Sequence, residues 1–227
     1  MKFRILTTFS ISLALFLAAG ISFANSEPPQ TTIEGLERVK DSKLALVYVE
    51  PGADFSQFKR IYLVDTYVAF KKNWRRDQNR KANPHKISSS DLDKMKSELA
   101  GLFRDVFTKV LEQGGYELVN ERAEDVLIIK PAIINLDIST PDTLSSNDTR
   151  SYSESPGEMT LYLELYDSVT DDLVAKAMDL QTDRETGYFQ WQARVTNRAA
   201  ANRILTVWAN VLKDGLDGAR RDTGESP

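Results

Sequence analysis

Few residues in this chain are equipped for chemistry, and most of those are cationic. The stretch AFKKNWRRDQNRKANPHK (69–86) sets Lys71, Lys72, Arg75, Arg76, Arg80, Lys81 and Lys86 against a single Asp77, with Trp74 in their midst. Such a run draws anions through its local field. An indole among guanidinium groups suits a lipid interface or an aromatic–arginine contact; the plainer expectation is a charged loop with Trp74 folded back onto the domain. A second patch, GYFQWQAR (187–194), places Tyr188, Phe189 and Trp191 beside Arg184 and Arg194. That is the composition of an interaction hot spot, and equally that of a strand covering the core.

Catalytic groups are scarce. The chain has no cysteine and one histidine, His85, between Pro84 and Lys86, which reads as a solvated loop residue. A Ser-His-Asp relay or a histidine metal centre would rest on it alone. There is no Gly-rich phosphate loop, nucleophile elbow, paired-histidine metalloprotease helix or calcium-loop pattern. Acid and base work needs only two carboxyls at a suitable separation, and Glu158 with Glu164 or Asp137 with Asp142 are candidate pairs. DSVTDD (167–172) offers Asp167, Asp171 and Asp172 to a hard cation, but a polar hairpin turn accounts for it without one. No metal or cofactor is expected.

The N-terminus directs where these groups act. Lys2 and Arg4 precede an apolar run from Phe9 to Ala19, and Ser22-Phe23-Ala24 has the small-residue spacing of signal cleavage after Ala24. Residues 1–24 are therefore expected to be a cleaved signal peptide and the protein to be periplasmic, with no transmembrane segment after cleavage. The rest comprises 203 residues with 27 basic and 33 acidic side chains. Without cysteine, no lipid can be attached to a mature N-terminal thiol. Export also takes the chain away from nucleic acid, leaving anionic lipid head groups, cell-wall polymer or an acidic envelope protein as partners for the basic stretch.

The elements that must hold these groups follow from periodicity. Residues 25–42 carry few apolar side chains and two adjacent prolines, and read as a flexible tether. LALVYV (44–49) and RIYLVDTYVAF (60–70) are rich in β-formers. From Asp91 the apolar positions Leu92, Met95, Leu99, Leu102, Phe103, Val106, Phe107, Val110 and Leu111 form a helical stripe, with Ser90 as expected cap and Gly114-Gly115 as stop. YELV (116–119) and the apolar Val126–Ile138 read as strands, the second carrying a bulge or break at Pro131. GEMTLYLELYD (157–167) alternates cleanly and turns into DLVAKAMDLQ (172–181) as a hairpin. Ala201, Ile204, Leu205, Trp208, Val211, Leu212 and Leu216 trace a second helix, capped by Thr196 or Asn197, and residues 220–227 read as a disordered tail. The expected fold is one α+β domain over 43–219: a two-layer sandwich, with a mainly antiparallel sheet of about five or six strands carrying two amphipathic helices on one face.

The blocks YVEPGADFSQFKRI, VAFKKNW, EDVLIIKPAIINLD, GEMTLYLELYDSVT and VTNRAAANRIL resemble, in order and over most of residues 35–219, the bacterial exported family known as domain of unknown function thirty-three thirteen. The resemblance implies no activity, cofactor or functional residue. Many of that family look like lipoproteins, from which this cysteine-free chain departs. The functional expectation is thus a non-enzymatic envelope protein that binds a partner or an anionic surface; the rival is an exported hydrolase using paired carboxylates.

Overall fold

The computed structural model describes residues 27–80, 86–138, 158–182 and 194–224. The expected signal peptide and its Ala24 site, Lys81, His85, Asp142 and Arg184 with Tyr188, Phe189 and Trp191 lie outside the described residues.

The chain runs β1 (Glu37–Arg38), β2 (Leu46–Val49), a short 3-10 turn (Phe55–Gln57), β3 (Arg60–Leu63), β4 (Tyr67–Phe70), α1 (Trp74–Arg80), α2 (Ser89–Gln113), β5 (Glu117–Leu118), β6 (Val126–Asp137), β7 (Glu158–Asp167), β8 (Leu173–Thr182) and α3 (Arg194–Gly224). The fold is the expected α+β arrangement. Its single sheet has eight strands in the order β1-β2-β8-β7-β6-β3-β5, with β4 also pairing β6. It is more mixed than the sequence indicates. The β1-β2-β8-β7-β6 side is antiparallel, whereas β3 and β4 both run parallel to β6, and β5 is parallel to β3.

Pro131 explains that second half. The run 60–70 looks like one strand, but it divides. β3 follows β6 as far as Leu63 opposite Ile129, and β4 resumes at Tyr67 opposite Ala132. The last bond of the first segment is Val64 N to Ile129 O. Residues 129 and 131 direct their backbone groups to the same side, so the missing donor of Pro131 falls in the gap between the two segments, where no ladder bond is required. On the other side Pro131 stays in register opposite Leu163, and the bulge comes later, between Ile134 and Asp137, with Asn135 at φ 53.

One face of the sheet carries both long helices. α2 begins with a capping box at Ser88, not Ser90: the Ser88 hydroxyl accepts from Asp91 N at 3.1 Å, and the Asp91 carboxylate accepts from Ser88 N at 2.8 Å. It ends at Gly114, with Gly115 at φ 82 as expected for a left-handed stop. α3 starts at Arg194, ahead of the expected Thr196 or Asn197 cap, and runs on into the expected tail. Leu102, Phe103, Val106, Phe107, Val110 and Leu111 of α2 join Ala201, Leu205, Trp208, Ala209 and Leu216 of α3. Together they form one core with the inward residues Ile61, Leu63, Leu127, Ile129, Ile133, Leu161, Leu163 and Leu165.

The supposed tether is ordered from Glu27. Thr31 bridges Glu37, β1 adds to β2, Leu36 is 2% exposed and the Tyr48 hydroxyl donates to Pro29 O at 2.9 Å. A composition reading misses this because the bonds are supplied by residues of the sheet.

Candidate functional site

The basic stretch is a built element. Asn73, at φ 65, turns the chain out of β4 in a conformation that asparagine tolerates better than most residues. Trp74 N then donates to Lys71 O at 3.0 Å as α1 begins. Trp74 is 4% exposed, stacks on Phe70 with ring centroids 4.4 Å apart and donates its indole N–H to Ile138 O at 3.2 Å. The expectation that its indole meets a lipid or partner is therefore corrected: Trp74 is an anchor, turned inward because the end of β6 offers both an apolar wall and a free carbonyl. Asn79 fixes the far end of the helix, donating to Ile87 O at 3.0 Å and accepting from Ile87 N at 2.8 Å. A seven-residue helix is not stable alone in water, and these two attachments supply what propensity does not.

With Trp74 and Gln78 buried, Lys72, Arg75, Arg76 and Arg80 are exposed, as is Lys86 beyond the helix. Their neutralisation differs. Lys71 bonds both Asp137 and Glu158, at 3.1 and 3.2 Å, and these bonds raise its pKa, that to Asp137 most. Arg76 pairs with its own neighbour Asp77 at 3.1 Å. Arg75 donates to the neutral Ser89 hydroxyl at 2.6 Å, and Lys86 to the Asn79 carbonyl. Lys72 and Arg80 make no ion pair among the described residues. The outcome is a rigid cationic surface at the end of the sheet where β4 and β6 finish and β7 begins.

The carboxylate candidates do not assemble. Asp137 sits opposite Glu158 across β6 and β7, but Lys71 occupies both. Glu164 lies six residues from Glu158 on the same strand, roughly 20 Å away at 3.3 Å per residue, whereas a catalytic carboxylate pair stands roughly 5 to 9.5 Å apart. Glu164 itself accepts the Tyr162 hydroxyl at 2.7 Å and the Tyr166 hydroxyl at 2.8 Å. Burial first, then these bonds, raises both phenol pKa values, so neither tyrosine is primed as a nucleophile. At the 167–172 turn, Asp167 accepts from Val169 N and Thr170 N at 2.7 and 3.1 Å. Asp171 pairs with Arg122 at 2.8 Å, which lowers its pKa. The turn's aspartates thus have turn and ion-pair duties. No group of three or more His, Cys, Asp or Glu placed to hold a metal occurs among the described residues. Of the second aromatic patch, only Arg194 falls within them, as the first residue of α3.

Sequence reasoning missed the sheet face opposite the helices. By register, Tyr48, Tyr62, Tyr67, Tyr162 and Tyr166 all project there, five of the chain's eight tyrosines. Lys130 lies over the Tyr166 ring, 3.9 Å from its centroid. The N-terminal segment straps one side of this face, tied by the ion pair of Glu34 with Lys176, and Tyr67 is left 53% exposed. The signal was present in each strand as alternation, but only the strand order brings the five rings to one face. A shallow polar recess of about 320 Å³ lies at the strap's root, lined by Glu27, Gln30, Arg38, Lys40 and Asp41 among others.

These features define a two-layer α+β domain whose chemistry-bearing residues are spent on ion pairs and anchors, apart from one cationic helix surface. The chain belongs to the family described as Protein of unknown function (DUF3313), whose family model matches residues 30–212. Several solved structures are similar to it. PelC from Paraburkholderia phytofirmans, solved as a dodecamer, shares 11% identity over 70% of this chain and 94% of its own, with a TM-score of 0.34. A DUF4136 family protein from Bacteroides thetaiotaomicron shares 16% over 77% and 95%, TM-score 0.36. A DUF330 protein from Xanthomonas campestris shares 10% over 73% and 88%, TM-score 0.37. At these scores the likenesses say nothing of function. No curated protein matches the chain. Among the described residues, no helix is long and apolar enough to cross a membrane.

Proposed function

We propose that this protein is an exported, periplasmic, non-enzymatic accessory of the cell envelope that binds an anionic partner through the cations of α1. The observation that carries the reading is the pairing of exposed Lys72, Arg75, Arg76, Arg80 and Lys86 with the buried Trp74 anchor. A helix bolted at both ends to display cations has a use that a floppy charged loop does not. The remainder of the exported chain is acidic, so the field it presents to an approaching polyanion is attractive chiefly here.

The rival, an exported hydrolase, finds less support, because Asp137 and Glu158 are both bound to Lys71 and Glu164 to two phenols. The test is binding of soluble polyglutamate by the protein purified from cells expressing the full-length gene. Binding should weaken as salt rises and vanish in a variant carrying Lys72→Gln, Arg75→Gln, Arg76→Gln and Arg80→Gln. Salt-independent binding, or binding unchanged in that variant, refutes the reading. Cell fractionation with mass analysis of the mature N-terminus tests export and cleavage after Ala24; a cytoplasmic, uncleaved product refutes that part.

A further inference from the structure

The partner class of α1 can be narrowed by what surrounds its cations. The apolar groups of this region all point inward: Trp74 and Ile87 are buried, and Phe70 lies under the indole. An interface with a folded protein draws its energy from desolvated aromatic or aliphatic anchors at its centre, with charge at the rim. The exposed surface of α1 offers the rim chemistry without such a centre.

Lys72, Arg75, Arg76 and Arg80 also carry their charge on long stems over a fixed backbone, Arg76 and Arg80 one turn apart at roughly 6 Å. A target that presents fixed anions side by side in a plane can meet all of them together without shape complementarity. The acidic remainder of the exported chain is repelled by such a plane, so only one orientation brings the molecule close.

Resting on the anion-binding reading above, we propose that α1 docks on the phosphate headgroups of an anionic phospholipid bilayer, at the surface and without aromatic insertion. Buried Trp74 has no route to the acyl chains while its stack on Phe70 and its bond to Ile138 hold. Affinity then comes from the number of cations, each worth about fivefold near an anionic surface, and not from any one residue.

The experiment is co-sedimentation of the purified protein with vesicles of equal parts phosphatidylglycerol and phosphatidylcholine, against vesicles of phosphatidylcholine alone. Binding is expected only to the first, weakening steeply with salt. Each single change of Lys72, Arg75, Arg76 or Arg80 to Gln should cost about fivefold, and the fourfold variant should not sediment although its thermal melt is unchanged. In a Trp191→Phe background, acyl-brominated lipid should leave tryptophan fluorescence unquenched.

Binding to neutral vesicles, sedimentation that survives the fourfold change, or quenching by the brominated chains would each overturn the inference. Binding of polyglutamate without binding of anionic vesicles sinks the lipid assignment and leaves the anion-binding reading standing. Failure with both probes removes the two together.

Discussion

Asp179 offers the sharpest test of the packing that supports the site. It is 5% exposed on the core side of β8, and its carboxylate accepts three hydrogen bonds: Ala45 N at 2.9 Å, Gln181 Nε2 at 2.7 Å and Trp208 Nε1 at 2.8 Å. Trp208 is 0% exposed, so once its acceptor is removed the indole N–H has no access to water. The groups then differ in what Asp179→Ala costs them. Ala45 is exposed and can turn to solvent, at a loss of about 0.5–1.5 kcal/mol, while an orphaned buried donor costs about 1–3 kcal/mol. With the Gln181 bond, the total comes to about 2–5 kcal/mol. Burying a carboxylate opposes this, but three donors already offset much of that penalty.

The informative comparison is the same change in a Trp208→Phe background, where no indole N–H remains to be orphaned. There the loss should shrink by about 1–3 kcal/mol. Urea unfolding followed by circular dichroism measures all four corners of the cycle, and Tm should fall by about 2–4 °C per kcal/mol for a domain of this size. An Asp179→Ala protein as stable as its parent, or an equal loss in both backgrounds, would refute the assignment of Asp179 as the acceptor that satisfies the core tryptophan.

Further outcomes follow from the same structure. Trp74→Ala should cost about 3–5 kcal/mol and abolish polyglutamate binding although every cation remains, whereas Trp74→Phe should keep the stack and the binding; equal binding by the alanine variant would show that α1 needs no anchor. Leu205→Asp puts an unpaired charge among fully buried side chains and should abolish the near-UV circular dichroism of the folded state; a retained spectrum contradicts the shared helix–sheet core. The Glu34 carboxyl is held below the ordinary glutamate range, chiefly by its bond to Lys176, so its contribution to holding the strap is fully present above about pH 4.3 and is lost as pH falls through the lowered value. Amide exchange at Leu36 and Arg38 should quicken in that acid window, and Glu34→Gln should exchange faster at neutral pH with no such dependence; identical profiles would place the strap's stability elsewhere.

Much of the architecture was legible because its signals are local. The α2 stripe, the glycine stop, the β7–β8 hairpin and the α+β class all rest on periods of 3.6 or 2 that any packed layer must satisfy. The capping residue was displaced from Ser90 to Ser88 because either serine could serve and only the extended backbone at Ser88 selects one. The division of residues 60–70 between two strands was hidden because it answers to Pro131 on another strand. The cations of the site were visible as composition, but Trp74 was not visible as an anchor, since the Phe70 ring and the Ile138 carbonyl that hold it come from two separate strands.

By itself, then, the order of side chains determined which faces must be covered, where the long helix stops and where positive charge gathers. These are decided by neighbours within a few positions, through backbone geometry and the removal of apolar surface from water. Only the tertiary structure decided that five tyrosines share one sheet face, that Lys71 is spent on Asp137 and Glu158, and that the basic stretch is a rigid helix. Each of those depends on contacts across distant segments, and their partners are fixed by strand register, which no local pattern encodes.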